Sequence, residues 1–333
     1  MKNFFIVCSM ALLFVGLMLF SLPGYGSQNT TKVGVIFSVP DPTHGGGWDR
    51  VHIRGLEAIS KFGWEISIAE NVPYPKATEI AGAYADKGYD IVIYTDGGMV
   101  ESWKEAAQKY PNTWFIEMSK VDKLPDSGKA AVWQPDKFGY GCIVGAVAAK
   151  ASKTGVIGLV GGIPIPPIVA EFSGIIQAVK TIRPDAKVLI SWAGDFVDLG
   201  KHSQATSLLT QKGADIIFTV SGTGYKGVFE ATRKAGALTI GYGDDFYNEA
   251  PDINLTAVLY DGRKMYTQLA EAYENGTLES KMYPVGFDFF EVTDFHGKIS
   301  PELEKDIRDT VAKIKSGELK IPEKIYDQLE SEY

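Results

Sequence analysis

Cysteine is nearly absent: among 333 residues there are two, Cys8 inside an apolar leader and Cys142 alone after it. A lone thiol forms no internal disulfide, so a fold of this length must be held by its core. Cys8 does not sit at a cleavage point, which argues against lipid attachment there. Cys142, in "GYGCIVGAVAAK", reads as a small buried hydrophobe. The four histidines, His44, His52, His202 and His296, lack metal-ligand spacing, and no C-x-x-C or H-x-x-x-H occurs. No G-x-S-x-G elbow and no G-x-x-x-x-G-K-[ST] loop is present. No metal, no cofactor and no catalytic residue is therefore expected. No run of five or more basic residues occurs and the net charge is −8, which excludes the positive face that nucleic acid requires.

Long apolar runs are confined to the start. Lys2, "FFIVCSMALLFVGLMLFSL" and the small residues of "PGYGS" make residues 1–26 a secretory signal peptide, with a retained anchor as the alternative. Pro23–Gly24 favours cleavage, so the mature protein is expected in the periplasm or outside the cell.

After the leader, short apolar strands alternate with amphipathic helices. Strands are predicted at 33–39, 65–70, 90–95, 113–118, 155–160, 187–191, 215–220, 238–242, 254–260 and 285–291. Helices are predicted from Pro75 to Lys87, at 100–109, from Ala205 to Lys212, at 137–152, at 261–275 and at 301–316. Strands that are apolar throughout and separated by helices indicate α/β architecture, with parallel sheets covered on both faces. The rhythm runs twice, over 31–133 and 153–250, and too few elements follow for a third domain. Two Rossmann-like lobes result: 31–135 plus about 259–290, and 136–258 plus about 291–333. Ligands of such sheets bind beyond the carboxyl ends of strands. Those ends carry "DPTHGGGWD", "TDGGM", "GGIPIPP", "WAGDFVD", "SGTGY" and "GDDFY".

The first of these loops resembles a dinucleotide fingerprint, but the spacing fails, because G-x-G-x-x-G from Gly45 would need glycine where Arg50 stands. What remains is aromatics and carboxylates. Trp48 opens a helix after a glycine turn, with His52 one turn on, and Phe196 occupies the equivalent place in the second half. Two such rings could sandwich a flat heterocycle, each stack contributing about 1–3 kcal/mol. Asp49, Asp96, Asp244, Asp245 and Asp261 are candidates to accept hydrogen bonds from its edge, although each also suits a turn or helix cap. Gly97, Gly98, Gly222 and Gly224 permit close backbone approach.

Across "KVGVIFSV…GGGWDRVHIRGLEAI", "YPNTWFIEMS", "VGAVAAKASKTGVIGLVGG", "GADIIFTVSGTGYKGVFEA", "TIGYGDD" and "VAKIKSGELKIP" the chain resembles the basic membrane protein (BMP) family. These are solute-binding proteins of ABC importers and include purine-nucleoside receptors. The resemblance implies the type I periplasmic binding protein fold, with a three-crossover hinge, and a membrane permease as partner of a monomer. It puts the stacking aromatics on Trp48 and Phe196, a polar neighbour on Asp49, and a ligand-side loop on Gly222–Thr223–Gly224. Gly243 falls where nucleoside receptors carry a ribose-binding aspartate, which leaves Asp245. Tyr260 and Asp261, like the Trp48–His52 spacing, are closer to a nucleobase-binding branch. The expectation is an importer receptor for a purine-like ligand, a nucleobase before a nucleoside. A nucleoside or flavin-type ligand, an exported enzyme on the same scaffold and a surface adhesin are the rivals.

Overall fold

The computed structural model describes residues 30–333, so the leader assigned to residues 1–26 lies outside the described residues. Thr31–Tyr333 forms one unit that contains two six-stranded sheets. The first comprises β1 (Lys32–Ile36), β2 (Glu65–Ala69), β3 (Ile91–Tyr94), β4 (Trp114–Glu117), β5 (Lys129–Pro135) and β11 (Met282–Val285). Its order is β11-β5-β4-β3-β1-β2, parallel throughout. The second comprises β6 (Val156–Gly161), β7 (Lys187–Trp192), β8 (Ile216–Val220), β9 (Leu238–Gly243), β10 (Asn254–Tyr260) and β12 (Phe290–Val292). Its order is β12-β10-β9-β8-β6-β7, with only β12 antiparallel to its neighbour.

Helices cover both faces, which is why a central strand such as β3 is buried at every residue. On the first sheet α2 (Ala77–Asp86) and α3 (Val100–Lys109) enclose one apolar cluster around Tyr94, Trp103 and Phe115. On the other face α1 (Gly47–Ile59) packs along α8 (Gly262–Glu274). The second sheet carries α6 (Leu199–Gln211) and α7 (Tyr225–Ala235) on one side. Its other side carries α4 (Lys137–Ala151), α5 (Pro166–Ile182) and α9 (Pro301–Ser316). One apolar core includes residues of α1, α8, α4 and α5 together, so the two domains share part of their interior. After α9 the chain returns to the outer edge of β7, where Tyr333 exchanges backbone hydrogen bonds with Val188 at 2.8 Å. That covers an edge that would otherwise offer unpaired backbone groups.

The chain crosses between sheets three times: from β5 into α4, from β10 into α8, and between β11 and β12. The third crossing corrects the single strand predicted at 285–291. Val285 pairs with Pro135 in the first sheet, whereas Phe290 pairs with Tyr260 in the second, and a 3₁₀ turn at Phe287–Phe289 separates them. A continuous strand cannot serve two sheets, and Pro284, which lacks an N–H, already limits pairing at that point. Strand β5, at Lys129–Pro135, is a further strand that is not among those predicted from the sequence.

Helix α4 is buried from Gly139 to Ala149, with Cys142 inside it. Burial pushes the Cys142 thiol up to about 12, so it stays protonated and behaves as an apolar group. The α4–α5 crossing depends on missing side chains. A Cβ at Gly141 would lie 2.0 Å from the Glu171 carbonyl oxygen, and one at Gly174 would lie 2.2 Å from that of Phe138. Gly174→Ala is expected to force the helices apart and lower stability by about 1–3 kcal/mol, read as a fall in Tm by thermal denaturation, with far-UV CD of the folded state unchanged.

Candidate functional site

The carboxyl ends of the two sheets meet at the amino terminus of α1. Gly46 is its N-cap, and Asp49 reaches back so that its Oδ2 accepts the Gly46 N–H at 3.0 Å. Asp49 is therefore committed to holding the glycine turn, and it is buried at 8 % exposure. Burial pushes its carboxyl up to about 7, with Asp96 adding repulsion. The tight turn lets α1 approach the second domain backbone to backbone. A Cβ at Gly47 would lie 1.5 Å from the Tyr242 carbonyl oxygen, and one at Gly46 would lie 2.7 Å from that of Gly222.

One turn along α1, Arg50 and Arg54 extend this contact. Both pair with Asp244 of the β9 loop. Arg50 also pairs with Glu249 and donates to the Tyr225 hydroxyl at 2.9 Å, while its guanidinium lies 4.7 Å from the Phe246 ring centroid. Arg54 donates to the Gly243 carbonyl. Asp244, named in the sequence only as one of several acidic candidates, thus becomes the main charged link between the domains.

Trp48 is half-buried at this seam. Its Nε1 donates to the Thr95 carbonyl at 2.7 Å, and His52 and Tyr260 meet it edge-on at 4.8 and 5.5 Å between centroids. His52 bonds the Tyr266 hydroxyl through Nδ1 at 2.9 Å, and burial lowers its pKa to about 3, so the imidazole is neutral. Across the seam the Lys137 ammonium lies 3.9 Å from the indole centroid. It is 4.6 Å from the Tyr260 ring centroid, donates to the Tyr242 hydroxyl at 3.1 Å, and stands 3.8 Å from Glu171. Burial pulls Lys137 down and Glu171 up, and their mutual attraction opposes both shifts.

Phe196 is half-buried on the second domain, its ring over the Gly162 backbone and its carbonyl accepting the Gly224 N–H at 3.0 Å. Gly222, at φ 47°, touches both Phe196 and Gly46, so the glycine turn with half-buried Thr223 joins the two lips. Trp48 and Phe196 lie on either side of this junction and do not stack on each other. The other sequence candidates divide. Gly97 and Gly98 pack under Ser119 and Tyr74, and Asp96 accepts from Ser38, Tyr74 and Gly98 within the first domain.

Three of the sequence candidates also carry contacts within the fold. Asp245 accepts from Tyr247 N–H and the Asn254 amide, both at 3.0 Å, because it closes its own loop. Asp261 caps α8 by accepting the Lys264 N–H at 2.9 Å. Tyr260 is fully buried and stacks on Tyr140 at 4.2 Å, making it part of the shared core. Conversely, Lys137, Glu171, Tyr242 and the buried Glu117, whose carboxylate oxygens have no hydrogen-bond partner among the described residues, were missed. A solitary charge inside an apolar helix, as in "IVAEFSGII" and at the head of "KFGYGCIVG", was the available signal.

Two hollows flank the seam. One of about 410 Å³ is lined by Lys120, Gln134, Lys137, Phe138, Val285 and Ile325, among others. Another of about 630 Å³ runs between Arg54, Tyr260, Asp261 and α8. Both lie inside the range of roughly 300–1,000 Å³ usual for small-molecule sites. Among the described residues no three His, Cys, Asp or Glu side chains gather where a metal ion would be held.

Two α/β domains with a seam at their strand ends match the family model described as "ABC transporter substrate-binding protein PnrA-like", over residues 32–324. The chain belongs to this Bmp family. Its members are substrate-binding proteins, which capture small molecules for a membrane permease. Among curated proteins, the chain is 28% identical over 300 residues to a purine-binding protein of Brucella abortus, covering 88% of this chain and 83% of that one. It is 26% identical over 186 residues to an ABC transporter nucleoside-binding protein of Lactococcus lactis, covering 56% and 52%. An ABC transporter solute-binding protein from Conexibacter woesei superposes with a TM-score of 0.72 at 21% identity, covering 88% of this chain and 99% of that one. The architecture is the periplasmic binding protein fold. In this Bmp protein, no helix among the described residues is long and apolar enough to cross a membrane.

Two outcomes follow from the seam. Gly47→Ala places a methyl group inside the Tyr242 carbonyl contact, so the domains should stay further apart. Small-angle X-ray scattering should give a larger radius of gyration than wild type, with unchanged far-UV CD. The second concerns Asp49, whose folded pKa of about 7 lies above its usual 3.8. Its contribution to stability is then complete below about pH 4 and is lost as pH rises towards 7, by up to roughly 1.4 kcal/mol per pH unit. Asp49→Asn, which keeps an acceptor for Gly46, should therefore gain Tm over wild type at pH 8 and gain less at pH 5.

Proposed function

We propose that this protein is an exported receptor that captures a purine-like heterocycle, a nucleobase in preference to a nucleoside, between its two domains. Trp48 and Phe196 cover the faces of the ring, and the Gly222–Thr223–Gly224 and Gly97–Gly98 turns let backbone groups come close. The domain limits are 31–135 with about 259–290, and 136–258 with about 291–333. The observation that carries the reading is the position of Trp48 on the first turn of α1, where that helix abuts the β9 loop of the second domain. An indole there is desolvated when the domains close, and a ring stacked on it is bound more tightly in the closed state than in the open one. Only such differential affinity shifts the population towards closure.

Two further facts support a base over a nucleoside. Gly243 offers no carboxylate for ribose hydroxyls, and neighbouring Asp244 is already held by Arg50 and Arg54. The purine-binding relative from Brucella abortus, which matches most of the chain, agrees with a purine ligand. The family consists of binding proteins, and no residue here is assigned a catalytic step.

Isothermal titration with adenine, guanine, hypoxanthine, xanthine and their nucleosides tests the reading. At least one base should bind at micromolar levels, and Trp48→Ala should weaken it about ten- to a hundredfold, as expected from stacking of about 1–3 kcal/mol. Tighter binding of a nucleoside than of its base would remove the preference stated here, and no binding by any would remove the purine assignment.

A further inference from the structure

Lys137 is the first residue of α4, immediately after the chain leaves β5, and it is only 6 % exposed. An ammonium group has three N–H donors. Here one bonds the Tyr242 hydroxyl at 3.1 Å, while Glu171 at 3.8 Å is beyond hydrogen-bond length. Around it lie acceptors in the same state. Glu171, 1 % exposed, has Oε1 unpartnered among the described residues, and so does Gln134, on the wall of the same hollow as Lys137, through its Oε1. Buried polar groups are normally paired, so spare donors beside spare acceptors mark a place where a polar ligand edge completes the set. Lys137 and Gln134 both line the hollow of about 410 Å³.

The ammonium also stands 3.9 Å from the centroid of Trp48, close to the layer a stacked aromatic ring would occupy. A ring entering that layer pushes the ammonium sideways to its rim, a movement that the flexible four-carbon stem of lysine allows. Building on the ring-binding reading above, we infer that Lys137 reads the edge of the ligand. Its ammonium donates to a ring carbonyl oxygen, and the neighbouring side-chain oxygens accept the adjacent ring N–H. The matching chemical class is a lactam-bearing heterocycle, an oxopurine with –C(=O)–NH– in its ring. An aminopurine places an NH₂ donor where the lactam has its carbonyl, so donor would face donor.

The test is isothermal titration of wild type, Lys137→Met and Lys137→Arg with hypoxanthine, guanine, xanthine and adenine. Wild type should prefer the three lactams over adenine by about tenfold or more. K137M should lose that preference by weakening the lactams while leaving adenine within about threefold, and K137R should retain it. Equal binding of adenine by wild type, or equal weakening of all four ligands in K137M, overturns the assignment while leaving the receptor reading intact. Absence of binding by all four purines overturns this assignment together with the nucleobase reading above, and leaves the substrate-binding family role standing. If thermal melts show K137M unfolded, Gln134→Leu takes its place. A reduced lactam preference supports the inference, and an unchanged one overturns it.

Discussion

Backbone meets backbone where the first turn of α1 enters the second domain, and the rest of the site depends on that approach. Gly46 and Gly47 have no side chains, so the Tyr242 carbonyl and the Gly222 turn come within contact distance of the helix terminus. Asp49 fixes the turn from inside by accepting the Gly46 N–H. With α1 so seated, successive residues have defined tasks: Trp48 faces the seam, His52 supports it from behind, and Arg50 and Arg54 reach Asp244. Half-buried guanidinium groups that share one carboxylate are costly to separate, because each charge left alone would still be partly desolvated. The network therefore favours one docking geometry over a range of loosely closed ones.

Beside this charged rim lies a different kind of chemistry. Lys137, Glu171, Tyr242 and Tyr260 form a buried polar and aromatic group around the indole. In a low-dielectric setting, satisfied polar groups rigidify a site and unsatisfied ones penalise it. A receptor can use that penalty, since a ligand that completes the hydrogen bonds recovers it only in the closed state. The hinge arrangement suits this: three crossings join the sheets, and a shared core holds α1, α4, α5 and α8 together.

Much of the framework was legible because its signals are local. Apolar strands such as "IVIY" and "IIFTV", helix starts after Pro and stops at Gly marked an α/β protein with two similar halves. Misreadings occurred where partners rather than local patterns decide. The stretch 285–291 is apolar from end to end, yet its halves pair with Pro135 and Tyr260 in different sheets. The stack of Tyr260 on Tyr140, far away in sequence, had no local signal either. Asp244 and Asp245 are adjacent and chemically identical, and only the position of Arg50 and Arg54 separates their tasks.

The sequence by itself determined the alternation of strands and helices, the glycine turn that admits close backbone approach, and the aromatic residues at strand ends. Hydrophobic period, turn chemistry and side-chain size act over a few residues, and they can be read without knowing what lies across the cleft. Tertiary structure alone decided which carboxylates link the domains, which merely cap a helix, and that the Lys137 ammonium rests on the Trp48 ring. The contacts between domains depend on desolvation and on partners more than eighty residues apart, and neither is written in the local pattern.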